Sequence, residues 1–221
     1  MMSTQTVAPT RSVTSGRQVA GRVAGVALVI CISAMGLVQV VAIGDRNPFT
    51  ATLSSYAWAT DGWLFGLSLL SLAVATATLA LLARRPRLRS GTGVPSLLLL
   101  ASAAAVGAAV FPADPEGLSA GGEAHRWFSI VLLVAIPAAA LLMLRGQGGL
   151  TVLGRRRRTI ARLIGISAAA GALFLLAQST AAPLGQAVSQ RVLVTAVVAL
   201  AVLISVEVRR PGLPQPAAAT G

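Results

Sequence analysis

Six stretches of the chain, 23–43, 62–83, 94–111, 127–144, 160–181 and 188–206, are apolar almost without interruption. Each holds about 18–22 residues, and at about 1.5 Å of rise per residue each spans a hydrocarbon layer of about 30 Å. A helix of that length in a water-soluble core carries a polar stripe along one side. These stretches carry none, so lipid is the solvent they fit. The pattern predicts an all-α fold: a polytopic integral membrane bundle of six transmembrane helices. Residues 1–18 are polar and read as a disordered tail, 19–208 as the six-helix domain, and 209–221 as a second disordered tail. The first stretch is longer than a signal-peptide core. It ends in Gly44-Asp45-Arg46-Asn47-Pro48 with no small-residue cleavage site, so an uncleaved span is expected.

Composition agrees with the pattern. Hydrophobic residues make up 55% of the 221 and charged residues 11%, against about 25% charged in soluble domains. Mean hydropathy is +0.79. The net charge is +12 and every basic residue is Arg. Such a charge suits nucleic acid only when it is clustered on a soluble face. Here it sits between apolar stretches, so nucleic acid is excluded as a partner.

The arginines also orient the bundle. Those before the first stretch, between the second and third, between the fourth and fifth, and after the sixth all fall on one side. Only Arg46, Arg126 and Arg191 fall on the other. The positive-inside bias makes the arginine-rich side cytoplasmic, with both termini there, and a bacterial inner membrane is the expected location. Asp45, Asp61, Asp114, Glu116 and Glu123 lie on the opposite, outer side, with Tyr56, Trp58, Trp63 and Trp127 at its boundary. Arg155, Arg156, Arg157 and Arg158 are expected to meet anionic lipid headgroups. Small residues must replace the hydrophobic drive for helix association in lipid, and Gly62–Gly66 is a candidate contact of that kind. Ala103–Gly107, Ala104–Ala108, Ser167–Gly171 and Ala168–Ala172 are others.

Candidate chemistry is sparse. One Cys and one His exclude a disulfide and the usual zinc or iron–sulfur ligand sets, so no metal or other cofactor is expected. The middles of the stretches carry no Asp, Glu, Lys, Arg or His, which argues against a proton-coupled pump. Gln39 and Gln178 are read as their most polar groups, suited to bonding a neighbouring helix. Cys31 reads as an inert apolar residue. The outer connections are richer. Phe111-Pro112-Ala113-Asp114-Pro115 ends one helix abruptly, Gly121-Gly122 allows a sharp return, and His125 then stands at the start of the fourth stretch. Ser54, Tyr56, Asp61, Asp114, Glu123 and His125 are the ligand-binding candidates. Asp114 and His125 are the candidates for an acid/base pair. The same residues would equally serve to cap helices and fix the loop, with an acid pairing Arg126.

Leu53-Ser54-x-Tyr56, then Gly62-Trp63 opening a span, then Phe111-Pro112-x-Asp114-Pro115 with Gly122 and His125 after it, resembles a six-span membrane family of bacteria and archaea. That family is catalogued as a domain of unknown function, number nine-nine-eight. The resemblance covers about residues 20–208 and implies a six-helix membrane fold with outward-facing polar motifs and no established activity. The leading functional expectation is therefore a binding or accessory membrane protein. Its outer loops would engage a lipid headgroup, a cation or a protein partner of unknown kind. A membrane-embedded enzyme using Asp114 and His125 is the first alternative. A small-solute transporter is the second, and Gln39 and Gln178 supply it little of the polar path it needs.

Overall fold

The computed structural model describes residues 11–47, 49–84, 93–114, 119–146 and 154–209. Six long helices carry almost all of them: α1 (Arg11–Val41), α2 (Trp63–Ala83), α3 (Gly93–Val110), α4 (Ala120–Gly146), α5 (Gly154–Ser179) and α6 (Pro183–Arg209). All six are long and apolar enough to cross a membrane. Among the described residues there is no strand. The chain is a multi-pass, all-α membrane protein. Helices suit this solvent because lipid offers no partner to a bare N–H or C=O, so each must be met within its own segment. Hydroxyls follow the same rule. Ser68, Thr76, Thr78 and Ser167 each donate to a carbonyl three or four residues back in their own helix.

Helix ends overrun the apolar stretches. α1 begins at Arg11, inside the polar segment read as a tail, and α4, α5 and α6 begin at Ala120, Gly154 and Pro183. Hydropathy marks where lipid begins, whereas the hydrogen-bond ladder continues into the polar boundary. Residues 1–10 and 210–221 of the two tails lie outside the described residues.

Helices adjacent in sequence pack side by side from α1 through α4, and α5 packs chiefly on α6. α6 also touches α1, α2 and α4, so it closes the bundle. Large aliphatics such as Val29, Leu81, Val134 and Leu175 remain exposed around the rim, where lipid would cover them. The interior is small and dense, with Ala24, Ala75, Ala80, Ala105 and Ala139 fully or almost fully buried. Among the small pairs, Gly107 sits under the Phe128 ring, and Ala104 and Ala108 are buried. Among the described residues Gly62–Gly66 forms no helix contact: no atom lies within 4 Å of where a Gly66 Cβ would stand, and Gly62 instead faces the Ala57 carbonyl of its own connection.

Two ends can be distinguished. At one, Trp58, Trp63 and Trp127 are exposed; it is called the tryptophan end. At the other, α6 finishes against the start of α1, with Arg209 lying across Gly21 and Gly25. This is the arginine end. It carries Arg157 and Arg158, exposed among other arginines, and Arg156 paired with Glu207 at 3.0 Å. The side chain of Arg155 lies outside the described residues.

Candidate functional site at the tryptophan end

The connection from α1 to α2 folds over the tryptophan end as a 3-10 turn, Leu53–Trp58, rather than as an open loop. Side chains from distant helices hold it down. Gln190 of α6 accepts the Leu53 N–H through Oε1 at 2.7 Å. Arg191 donates from Nη1 to the Ala51 carbonyl at 2.9 Å and from Nη2 to the Tyr56 hydroxyl at 3.3 Å. Its Nε donates to Gln39 Oε1 at 3.0 Å, and Nη1 also reaches the Ala187 carbonyl of its own helix at 3.0 Å. Trp58 donates its indole N–H to the Ala113 carbonyl beyond α3. Gly62 is required beneath this turn, because a Cβ there would overlap the Ala57 carbonyl oxygen.

Tyr56 is thus a buried member of this lock. Its exposure is 0%, so it differs from the three tryptophans with which it was grouped at the boundary. Gln39 lies two residues from the end of α1, not at mid-span, and it bridges Arg191 and the Met35 carbonyl. Gln178 is exposed at the end of α5.

The turn from α3 to α4 is a second lock, built from the other motif. Asp114 Oδ2 accepts the Ser119 N–H at 2.7 Å, and Ser119 in turn caps α4 by accepting the Gly122 N–H at 3.1 Å. Gly122 admits the aspartate: a Cβ there would stand 2.5 Å from Asp114 Cβ. Phe111 stacks on Phe128, with ring centroids 5.9 Å apart. His125, in the second turn of α4 and 5% exposed, places Nδ1 at 2.8 Å from the Phe111 carbonyl and 3.0 Å from that of Ala108. Both partners are acceptors only, so Nδ1 carries the hydrogen and caps the end of α3. Pro115 lies outside the described residues. Glu123 forms an exposed pair with Arg126 at 2.9 Å. Asp61 precedes α2, but its carboxylate does not cap the helix; Gly62 holds the cap position without a side-chain bond. Asp45 accepts both the hydroxyl and the N–H of Thr60, which together hold its carboxyl below the ordinary value of 3.8.

Between the two locks lies a cavity of about 510 Å³, walled by α1, α2, α4 and α6. Leu69 and Leu72, Leu132 and Leu133, and Val194 and Val202 make its apolar surface. The span from Gln190 to Val202 on α6 sets a depth of about 18 Å at helical rise. Polar groups gather where it approaches the turn: Ser54, Gln39, Gln190, His125, Ser129 and Ser68. No Asp, Glu, Lys or Arg lines it. Its exposed lining residues, Ile32 and Gly36 on α1 and Thr195 on α6, place an opening between those two helices. Above the opening Arg191 ties α6 to Gln39; below it Arg209 lies over Gly21 and Gly25. The opening is therefore a lateral slot, pinned at both ends and facing lipid.

Of the candidate residues, Ser54 and His125 share the cavity, and Tyr56 lies behind it through Arg191 and Gln39. Asp61, Asp114 and Glu123 do not line it. Gln190 and Arg191 went unrecognised as site residues. Their signal was an amide and a guanidinium side by side inside the sixth apolar stretch. Among the described residues no three of His, Cys, Asp and Glu come together as a metal-binding group.

The family model described as Protein of unknown function (DUF998) matches residues 22–207. The chain belongs to this family. No curated protein and no solved structure matches it. The motif residues behind the resemblance now have physical roles: Leu53, Ser54 and Tyr56 form the first lock, and Phe111, Asp114, Gly122 and His125 the second.

Proposed function

We propose that this protein is a membrane-embedded binding protein for a single-chain, lipid-like amphiphile. The alkyl chain lies in the cavity, and the polar group sits beneath the 53–58 turn. The observation that carries this reading is the cavity itself: apolar in depth, polar at one end and open sideways to lipid. Its volume falls within the roughly 300–1,000 Å³ of small-ligand pockets. A methylene occupies slightly less than the about 30 Å³ share of a liquid water, so the space suits one chain of roughly sixteen to eighteen carbons rather than two. A chain entering through the slot between α1 and α6 never leaves an apolar environment.

The tryptophan end faces outward in this reading and both termini are cytoplasmic, in a bacterial inner membrane, as the arginine distribution favours. Arg157 and Arg158, exposed at the arginine end, meet anionic headgroups of the inner leaflet, each contributing about 1 kcal/mol. Arg156 contributes less, because Glu207 already compensates its charge.

Photolabelling tests the binding role. An octadecyl probe with a mid-chain diazirine, added to the purified full chain in detergent, is expected to label peptides bearing Leu69, Leu132 and Val194. Excess octadecanol is expected to suppress that labelling. Labels confined to rim residues such as Val29, Val134 and Leu175 would contradict it. Sidedness is tested by Asn47→Cys and Arg157→Cys with an impermeant maleimide on intact cells: only the first should react, and the reverse pattern would overturn the orientation.

A further inference from the structure

His125 has two ring nitrogens and only one is used by the fold. Nδ1 is turned toward α3, which contributes no residue to the cavity wall. Nε2 projects from the opposite side of the ring, and His125 lines the cavity. With the hydrogen fixed on Nδ1, the neutral ring offers a lone pair at Nε2. No described residue donates to it, although the side chain is 5% exposed. A buried acceptor left unmet is costly. Gln190 shows the converse: its Oε1 is taken by the Leu53 N–H, while its amide N–H groups donate to no described residue and the side chain lines the same cavity.

Resting on the binding role above, we infer that the ligand is a neutral lipid bearing a hydroxyl. The hydroxyl hydrogen goes to His125 Nε2 and the hydroxyl oxygen accepts from the Gln190 amide. A ketone or ester carbonyl has no hydrogen to give, so it leaves Nε2 unmet. A carboxylate has none either, and it brings a charge that no lining Arg or Lys balances. Arg191 does not change this, because its guanidinium is bonded to Gln39, Tyr56 and the carbonyls of Ala51 and Ala187 and does not line the cavity. His125 is then both a structural cap through one nitrogen and the selector of the headgroup through the other.

The test compares octadecanol, octadecanoate and octadecane for binding to the purified full chain, and repeats it on His125→Asn. Asparagine keeps an amide N–H where Nδ1 stands, so it can still cap α3, while its Oδ1 stops about one bond short of where Nε2 stands. The wild type is expected to bind octadecanol about tenfold tighter than octadecane, about the worth of one good hydrogen bond. His125→Asn, in protein shown to be folded by its melting transition, is expected to weaken that preference. Equal affinity of the wild type for alcohol and alkane, tighter binding of octadecanoate, or an undiminished alcohol preference in folded His125→Asn each overturns the inference. Failure of all three probes to bind overturns the binding role itself, a distinct outcome. Should His125→Asn fail to fold, Gln190→Leu reports the hydroxyl's other bond: the alcohol preference is expected to fall, and an unchanged preference overturns the inference.

Discussion

Two arginines fasten α6 to α1, and they do so by opposite means. At the tryptophan end Arg191 makes four hydrogen bonds to groups on α1, the connection through Ala51 and Tyr56 and its own helix, and its Cζ lies 5.9 Å from the Tyr56 ring centroid. At the arginine end Arg209 is exposed, bonds Ser205 of its own helix, and rests on the flat surface that Gly21 and Gly25 leave on α1. One clasp is a directed network that fixes a turn over a cavity. The other is a long side chain lying on backbone, free to shift. The contrast shows where this molecule holds geometry: polar side chains converge in one network at the end where a ligand's head group would sit, whereas the other end holds separate pairs, Arg209 with Ser205 and Arg156 with Glu207.

The sharpest way to break that contrast is to remove each clasp in turn. Arg191→Met strands Gln39 Oε1, the Ala51 carbonyl and the Tyr56 hydroxyl, and is expected to cost about 2–4 kcal/mol. Arg209→Met is expected to cost less than about 1 kcal/mol, since the cation is exposed and gives up only the bond to Ser205 of its own helix. Thermal unfolding in detergent checks both, and equal losses would erase the distinction.

Glycine substitution asks the same question one step down in size. Gly122→Ala drives a Cβ into Asp114 and is expected to cost about 1–3 kcal/mol. Gly25→Ala meets only the far end of the Arg209 side chain, 2.9 Å away, which can swing aside. Its melting temperature is expected to match or exceed wild type, because alanine favours the helix by about 1 kcal/mol.

A smaller effect sits at the turn from α5 to α6. The N–H of Ala182 bonds the Ala177 carbonyl, and Ala181 adopts φ 49°, a left-handed conformation that costs a residue with a Cβ roughly 1–2 kcal/mol. Ala181→Gly is expected to raise the melting temperature by the equivalent of about 1 kcal/mol or less.

The smallest is electrostatic. Thr60 lowers the Asp45 pKa, so the bond's contribution is present above the ordinary carboxylate value and fades as pH falls through the lowered one. Thr60→Val is expected to flatten that acid limb slightly, as read by melting temperature against pH.

The spans were legible in the sequence because lipid imposes one demand on every residue of a crossing helix. Their ends were less so, since α4 continues through Ala120–Arg126 where hydropathy has already faded. Ser54 and His125 could be singled out as polar or ionisable groups beside a turn. Arg191 could not be separated from the connection by charge counting, because its role depends on Gln39 and Ala51, far away in sequence. Nor could the division of labour in His125 be read, for it depends on which carbonyls α3 presents at its end. Asp114 was legible as a polar group in a sharp corner, yet its bond to Ser119 makes it a part of the corner and not of the cavity.

The central claim, that a lipid-like chain occupies the space between α1, α2, α4 and α6 through the lateral slot, is tested most directly by plugging that slot. Gly36 lines the cavity, and no described atom lies within 4 Å of where its Cβ would stand, so Gly36→Leu can start a bulky side chain at the slot without a clash at Cβ. Octadecanol at about a hundred times its dissociation constant should stabilise the wild type by about 2.7 kcal/mol in thermal unfolding and leave Gly36→Leu unmoved. Equal stabilisation of both proteins would place the bound chain elsewhere and contradict the account.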